Sequence, residues 1–177
     1  MCMEKGKNVL CEKPLAMNLT EVNELISAAR KHNVFLMEAF WSRFFPVYEK
    51  IRSLLNQKAL GEVKIVRAEF GVNLLHVPRS VEKELGGGAL LDIGCYCIQF
   101  ALMAFGGEKP ESITAKGFLH ETGVDETVTV ILQYSGKRQA VPNLHLFDSN
   151  AKPSCDMWHK RNDSDSFIHV VSNNNNS

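Results

Sequence analysis

Short apolar runs and one amphipathic stretch alternate over the first 40 residues of the chain. Asn8-Val9-Leu10-Cys11 has the length and composition of a buried strand, and so has Val34-Phe35-Leu36-Met37-Glu38. Between them Leu19, Val22, Leu25, Ile26 and Ala29 recur at helical spacing on one face. Asn18 with Glu21 three residues on reads as a capping box at the start of that helix. Lys31 and His32 suit its negative end, and Asn33 suits its stop. A strand, a helix and a strand in this order make a βαβ unit, which predicts parallel pairing. Met3 to Lys5 followed by Gly6 read as a helix end with a glycine cap. A parallel sheet that opens this abruptly is expected to have earlier strands before Met1.

The pattern then changes. Pro46 opens a second amphipathic helix with Val47, Tyr48, Ile51, Leu54 and Leu55 as its apolar face, closed at Gly61. Val63 to Val72 is rich in β-branched and aromatic residues and predicts a longer strand. Gly86-Gly87-Gly88 is a hinge before a helix from about Ala89 to Ala104, apolar nearly all round and therefore expected deep in a core. Gly106-Gly107 ends it. Strands are expected near Ser112–Phe118 and Glu126–Tyr134. In the second, Val128, Val130, Leu132 and Tyr134 alternate with polar residues, the period of a sheet with one covered face. Ser135-Gly136-Lys137 is a turn that should launch a further strand. From about Val141 to Ser177 no period is visible and Pro, Asn, Asp and Ser punctuate the chain, which predicts a disordered tail.

Composition narrows the function classes. Twenty basic and 20 acidic residues give zero net charge, without a basic stripe, which argues against counterion-driven binding to nucleic acid. No run of about 18 apolar residues is seen, so no transmembrane helix is expected. The start lacks the apolar core of a signal peptide. Five cysteines at irregular spacing, with Cys95-x-Cys97 unlike a zinc pair, predict reduced thiols in a cytoplasmic protein and no metal site.

Two clusters can carry chemistry. Glu12-Lys13-Pro14 follows the first strand directly, and parallel strands present ligand sites at their C-terminal ends. A proline there can hold a rigid, even cis, turn. As an isolated tripeptide it is read more simply as a strand-ending turn with a solvated lysine. In the second cluster, Asp92 and Tyr96 are four apart on the apolar helix and share a face. A buried aspartate needs a partner. A backbone group would satisfy it and leave Tyr96 as core. A phenol beside an ammonium is instead an acid–base arrangement, because the positive charge favours phenolate.

Glu12-Lys13-Pro14 after a strand, then Glu38-Ala39-Phe40-Trp41-Ser42-Arg43-Phe44-Phe45-Pro46, then Gly86-Gly87-Gly88 through Asp92-x-Gly94-x-Tyr96, in that order, resemble the glucose–fructose oxidoreductase/inositol dehydrogenase family. The resemblance covers about residues 1–140. Most members have histidine where Tyr96 stands. The tyrosine resembles a branch that uses NADP and oxidises trans-dihydrodiols of aromatic hydrocarbons and D-xylose. The resemblance implies an α/β fold in three parts. Residues 1–40 would be the C-terminal remnant of a Rossmann domain, and 41–140 part of an α/β domain with an open, mostly antiparallel sheet. Residues 141–177 would be a divergent tail.

It further implies that Lys13 contacts the nicotinamide ribose and assists catalysis, lowering the phenol pKa of Tyr96, the general acid/base. Glu12, Pro14 and Arg43 would lie at the cofactor. Trp41, Phe70 and Asp92 would lie at the substrate, a diol or sugar. For Trp41 and Phe70 a core role stays open; for Arg43, a surface ion pair; and His76 is expected in a loop. Family members are homodimers. The family's Gly-rich phosphate loop, whose backbone approaches the pyrophosphate at a helix N-terminus, is expected before Met1, and no G-x-G-x-x-G occurs in the chain. Two alternatives to the dehydrogenase reading stand: a non-catalytic fragment of such an enzyme, and a family member acting on another sugar.

Overall fold

A computed structural model describes residues 1–146 and the backbone of Ser164–Asn173. The described residues divide into two compact units, with the boundary between Phe45 and Pro46.

In the first unit β1 (Val9–Cys11) and β2 (Leu36–Glu38) pair in parallel, Val9 opposite Leu36 and Cys11 opposite Glu38. Helix α1 (Leu19–Lys31) connects them. The expected cap is present in a shifted form. The Asn18 side-chain oxygen accepts the Glu21 N–H at 3.0 Å, but the Glu21 carboxylate reaches back to the N–H of Met17, one residue before the cap. Asn33 leaves the helix in the left-handed region at φ 51°, which asparagine tolerates. Met3–Lys5 is a single 3-10 turn closed by left-handed Gly6. A second 3-10 turn, Trp41–Phe44, ends the unit.

The second unit opens with α2 (Pro46–Asn56), whose buried residue is Tyr48. Val47, expected on the apolar face, is exposed, because Tyr48, Ile51 and Leu55 define the packed stripe and position 47 lies beside it. The strands are β3 (Glu62–Val72), β4 (Ser112–Leu119), β5 (Asp125–Tyr134), β6 (Arg138–His145) and β7 (Ser164–Asn173). They form one sheet in the order β4-β5-β6-β3-β7. Only β3 and β6 pair in parallel; the other neighbours are antiparallel. The sheet is thus open and mostly antiparallel, as the resemblance implied.

Two expectations for the tail change. No period was visible from Val141, yet β6 runs through His145 and the backbone of 164–173 adds β7 to the edge of β3. Pro142 and Asn143 conceal the strand in sequence. Pro142 cannot donate to a ladder, but it sits fully buried opposite Ala68. The remaining residues of the 141–177 tail lie outside the described residues.

One face of the sheet carries the core. Val66, Ala68, Val128, Val130, Leu132, Ala140 and Leu144 from the strands meet Ala89, Ile93, Cys97, Phe100 and Ala101 from the apolar helix. That helix is not uniform: Leu90–Gly94 is a π turn and α4 is Cys95–Ala104. It is also less enclosed than its composition suggests, since Leu90 and Leu102 face outward. Lys83–Ala104 has the length and apolar composition to cross a membrane, although no unbroken run of about 18 apolar residues occurs in it. Its burial against the sheet makes it the core helix of this unit.

Candidate active site

The first unit contributes the corner where its two strands end. Glu12-Lys13-Pro14 follows β1 with a cis Lys13–Pro14 peptide. The loop is tied to the end of β2: Glu38 accepts the Leu15 N–H at 2.8 Å, and the Ala39 N–H donates to Cys11 O at 2.7 Å. Lys13 and Pro14 are half-buried, and Glu12 is exposed. Lys13 therefore stands at the C-terminal end of parallel strands on a backbone held from both strands. An ammonium donor at that place fits the hydroxyls of a nicotinamide ribose. A phosphate cradle is not formed by α1, because its first turn is already occupied by Asn18 and by the negative Glu21 carboxylate. The residues of this unit thus suit the nicotinamide end of a dinucleotide and not its pyrophosphate. Trp41 is 52% exposed and stacks edge-on against Phe45 with ring centroids 5.0 Å apart, so it is not a core residue. Arg43 is exposed.

In the second unit Asp92 is buried in the π turn and has the partners its burial requires. The Arg79 guanidinium donates to both carboxylate oxygens at 3.1 and 3.0 Å, and the fully buried Ser80 hydroxyl donates at 3.0 Å. Side chains satisfy it, not a backbone group alone. Arg79 and Ser80 lie on the one-turn helix α3 (Pro78–Val81). The three glycines make this approach possible. Gly86 and Gly88 take φ of 76° and 118°, and a Cβ on Gly87 would come within 2.8 Å of Ser80 O. Gly87 and Gly88 then donate their N–H groups to Glu82 O and Ser80 O. The glycine triplet is therefore a tight return that folds α3 onto the helix, and not a loose hinge.

Tyr96, in the first turn of α4, is half-buried with its ring 5.8 Å from that of Phe70 at a tilt of 48°. Phe70 packs on the rim of the core, so it serves packing and the tyrosine environment together. His76 is exposed in the loop after β3, as expected of it. Within this unit the fold brings Tyr96 against Phe70, and Asp92 lies one turn earlier on the same helix. Arg79, Ser80 and Asp125 belong to the same constellation and were not singled out from sequence. The buried aspartate signalled that a partner must exist, but nothing in the spacing said which one. Among the described residues no cluster of three metal-ligating side chains occurs.

Chemically, the second unit offers a phenol next to an aromatic ring, on a helix held by the pairing of buried Asp92 with exposed Arg79. The first offers a half-buried ammonium at a strand end. A phenol is able to exchange a proton with a hydroxyl, and an ammonium is able to donate to one.

Comparison with known proteins places the chain. Residues 48–155 match the family description GFO/IDH/MocA C-terminal domain, and residues 1–40 match the oxidoreductase family, NAD-binding Rossmann fold. The Xenopus laevis protein named trans-1,2-dihydrobenzene-1,2-diol dehydrogenase is 76% identical over 141 residues, covering 80% of this chain and 43% of that protein. The chain thus spans less than half the length of the curated relatives it matches. GenD2 from gentamicin A biosynthesis, solved with NAD, shares the fold at a TM-score of 0.81 and 21% identity, covering 96% of this chain and 46% of that one. The aldose-aldose oxidoreductase from Caulobacter crescentus, solved with glycerol, gives a TM-score of 0.77 at 26% identity over 82% of this chain and 45% of that one. The two matches follow the division into units, and with the open sheet and the Asp92–Tyr96 helix they lead to one conclusion: the chain belongs to the GFO/IDH/MocA family of oxidoreductases.

Proposed function

We propose that the chain is part of an NADP-dependent dehydrogenase that oxidises trans-dihydrodiols of aromatic hydrocarbons and D-xylose. The observation that carries this is the tyrosine on the Asp92 helix, set beside an aromatic ring, in a chain 76% identical to the Xenopus laevis protein of that name. Tyr96 takes the proton of the reacting hydroxyl as that carbon loses hydride, and returns it in the reverse direction. The bound nicotinamide supplies the hydride acceptor. Lys13 donates to the ribose hydroxyls, with Glu12, Pro14 and Arg43 at the same end of the cofactor. Trp41 and Phe70 provide apolar surface for an aromatic or sugar ring. Asp92, held by Arg79 and Ser80, fixes the helix and offers a carboxylate to a substrate hydroxyl. A cytoplasmic homodimer is the form we propose for the whole enzyme.

A second reading has its own observation. No G-x-G-x-x-G occurs in the sequence, and the α1 N-terminus is occupied by its own cap. On this second reading these 177 residues do not by themselves catalyse the reaction. What lies near Lys13 holds only one end of a dinucleotide and does not offset the entropy of immobilising the rest.

The test has two arms. In a full-length context, Tyr96→Phe lowers diol oxidation by about 10²–10⁴-fold with NADPH affinity nearly unchanged, whereas Lys13→Met weakens both. Wild-type turnover by Tyr96→Phe removes the tyrosine from the reaction. Fluorescence titration with NADPH is expected to show very weak binding to the chain alone. Micromolar affinity would mean that this chain forms a working cofactor site by itself.

A further inference from the structure

The helix that carries Asp92 and Tyr96 starts without a cap of its own. Ala89 stands at the cap position and has no side-chain acceptor. The acceptor comes from the far side of the unit. Asp125, the first residue of β5, takes the Leu90 N–H on Oδ2 at 2.6 Å. Its other carboxylate oxygen lies where a side chain on Gly88 would be, so the third glycine of the triplet is needed for this contact as well as for its own φ. The preceding turn is braced for the purpose. The Thr122 hydroxyl donates to Val81 O at 2.5 Å, the His120 N–H donates to Val124 O at 2.8 Å, and Val124 is buried.

Three fasteners therefore act on one short stretch. Asp125 holds the N–H of residue 90, Arg79 and Ser80 hold the carboxylate of residue 92, and Gly94 lies against Leu144, where a Cβ would meet the leucine methyl at 2.5 Å. Tyr96 stands immediately beyond. A π turn has a wider hydrogen-bond spacing than the α-helix it precedes. The first N–H is consequently the point that sets how far the following turn, and Tyr96 with it, is rotated and advanced. Burial raises the Asp125 pKa, as expected of a carboxylate placed among packed elements rather than in solvent.

We infer that Asp125 is a positioning residue for the hydride-transfer site: its carboxylate, delivered from β5 to the N–H of Leu90, sets the register of the helix that presents Asp92 and Tyr96. The inference rests on the dehydrogenase reading for its kinetic consequence and on the hydrogen bond alone for its structural one.

The experiment separates the two. In the full-length enzyme, Asp125→Ala is expected to lower kcat by about ten- to hundredfold, the scale of a displaced reacting group, with little change in the KM for NADP. Asp125→Asn keeps an oxygen acceptor for the same N–H and is expected to recover most of that loss. In parallel, amide exchange at residues 90–96 of the 177-residue chain should accelerate in Asp125→Ala and stay near wild type in Asp125→Asn. A wild-type enzyme without diol or sugar oxidation defeats the dehydrogenase reading and leaves the exchange measurement to decide the positioning role. An alanine variant within twofold of wild-type kcat overturns the inference, as does unchanged exchange at 90–96 or an asparagine variant as impaired as alanine. If Asp125→Ala does not fold, Asp125→Val, which suits a strand and offers no acceptor to the Leu90 N–H, is measured instead; a kcat equal to wild type would overturn the inference.

Discussion

The two units use the same local grammar and reach different results. The first has a side-chain-capped helix, two apolar strands in register and a glycine-closed turn, yet its buried side chains in 1–45 are Ala29 and Ser42. Leu10, Leu19, Phe35, Trp41 and Phe44 remain exposed. The second has a helix with no cap from its own first residue, an irregular π turn and a mixed sheet, and it buries a continuous core with Phe100, Leu144 and Leu146 fully enclosed. Local signals form elements, but burial needs a second layer to pack against. The second unit has a sheet face and a helix on it, and the first has two short strands and one helix. The tyrosine proposed as the acid/base sits on the well-buried unit, and the lysine proposed for the ribose sits on the other.

The largest expected effect tests the core. Phe100→Ala in α4 should cost about 3–5 kcal/mol, while Leu10→Ala in β1 should stay within about 0.5 kcal/mol. Denaturant unfolding measures both, and equal losses would erase the contrast between units. Next is the ion pair of the second unit. Arg79→Ala removes the guanidinium donor from a buried carboxylate to which Ser80 still donates, and a loss of about 1–2 kcal/mol is expected. The range is kept low because Arg79 is 62% exposed and solvent screens it. A thermal shift indistinguishable from zero would mean that the pair does not fasten the helix.

A smaller effect is expected in the first unit. Asn18→Ala removes the oxygen that accepts the Glu21 N–H, with a loss of about 1 kcal/mol in the helicity of α1. Circular dichroism of the variant checks this, and no change would show that the cap is idle.

The smallest effect is pH-dependent and belongs to the core. Burial pushes the Cys97 thiol up to about 12. The folded state then keeps a proton that the unfolded thiol releases near pH ~8.5–9, so this contribution to stability is complete below that range and is lost as pH rises towards 12. Cys97→Ala should flatten the alkaline fall in stability slightly. In the native protein iodoacetamide should modify exposed Cys2 well before Cys97. Equal rates would show that the core opens readily.

Much of the fold was legible because it rests on local rules. Asn18, Gly6, Asn33 and the alternation from Val128 to Tyr134 each specify their element through hydrogen bonding or side-chain period alone. β6 was cut short because Pro142 reads as a strand breaker, and only its ladder position makes it acceptable. The site was legible in its separate residues. Lys13, Asp92 and Tyr96 are named by residue type and place along an element.

What the sequence by itself determined is therefore most of the elements up to β5, the family pattern and the fact that a buried aspartate must be paired. The tertiary structure alone decided that Arg79 and Ser80 pair it, that the glycine triplet is a close approach rather than a hinge, and that Asp125 caps a helix begun 35 residues earlier. The physical reason is range. Caps, turns and amphipathic periods are set within a few neighbouring residues, whereas the partner of a buried charge is whichever group the sheet brings within about 3 Å, and that depends on the packing of the whole unit.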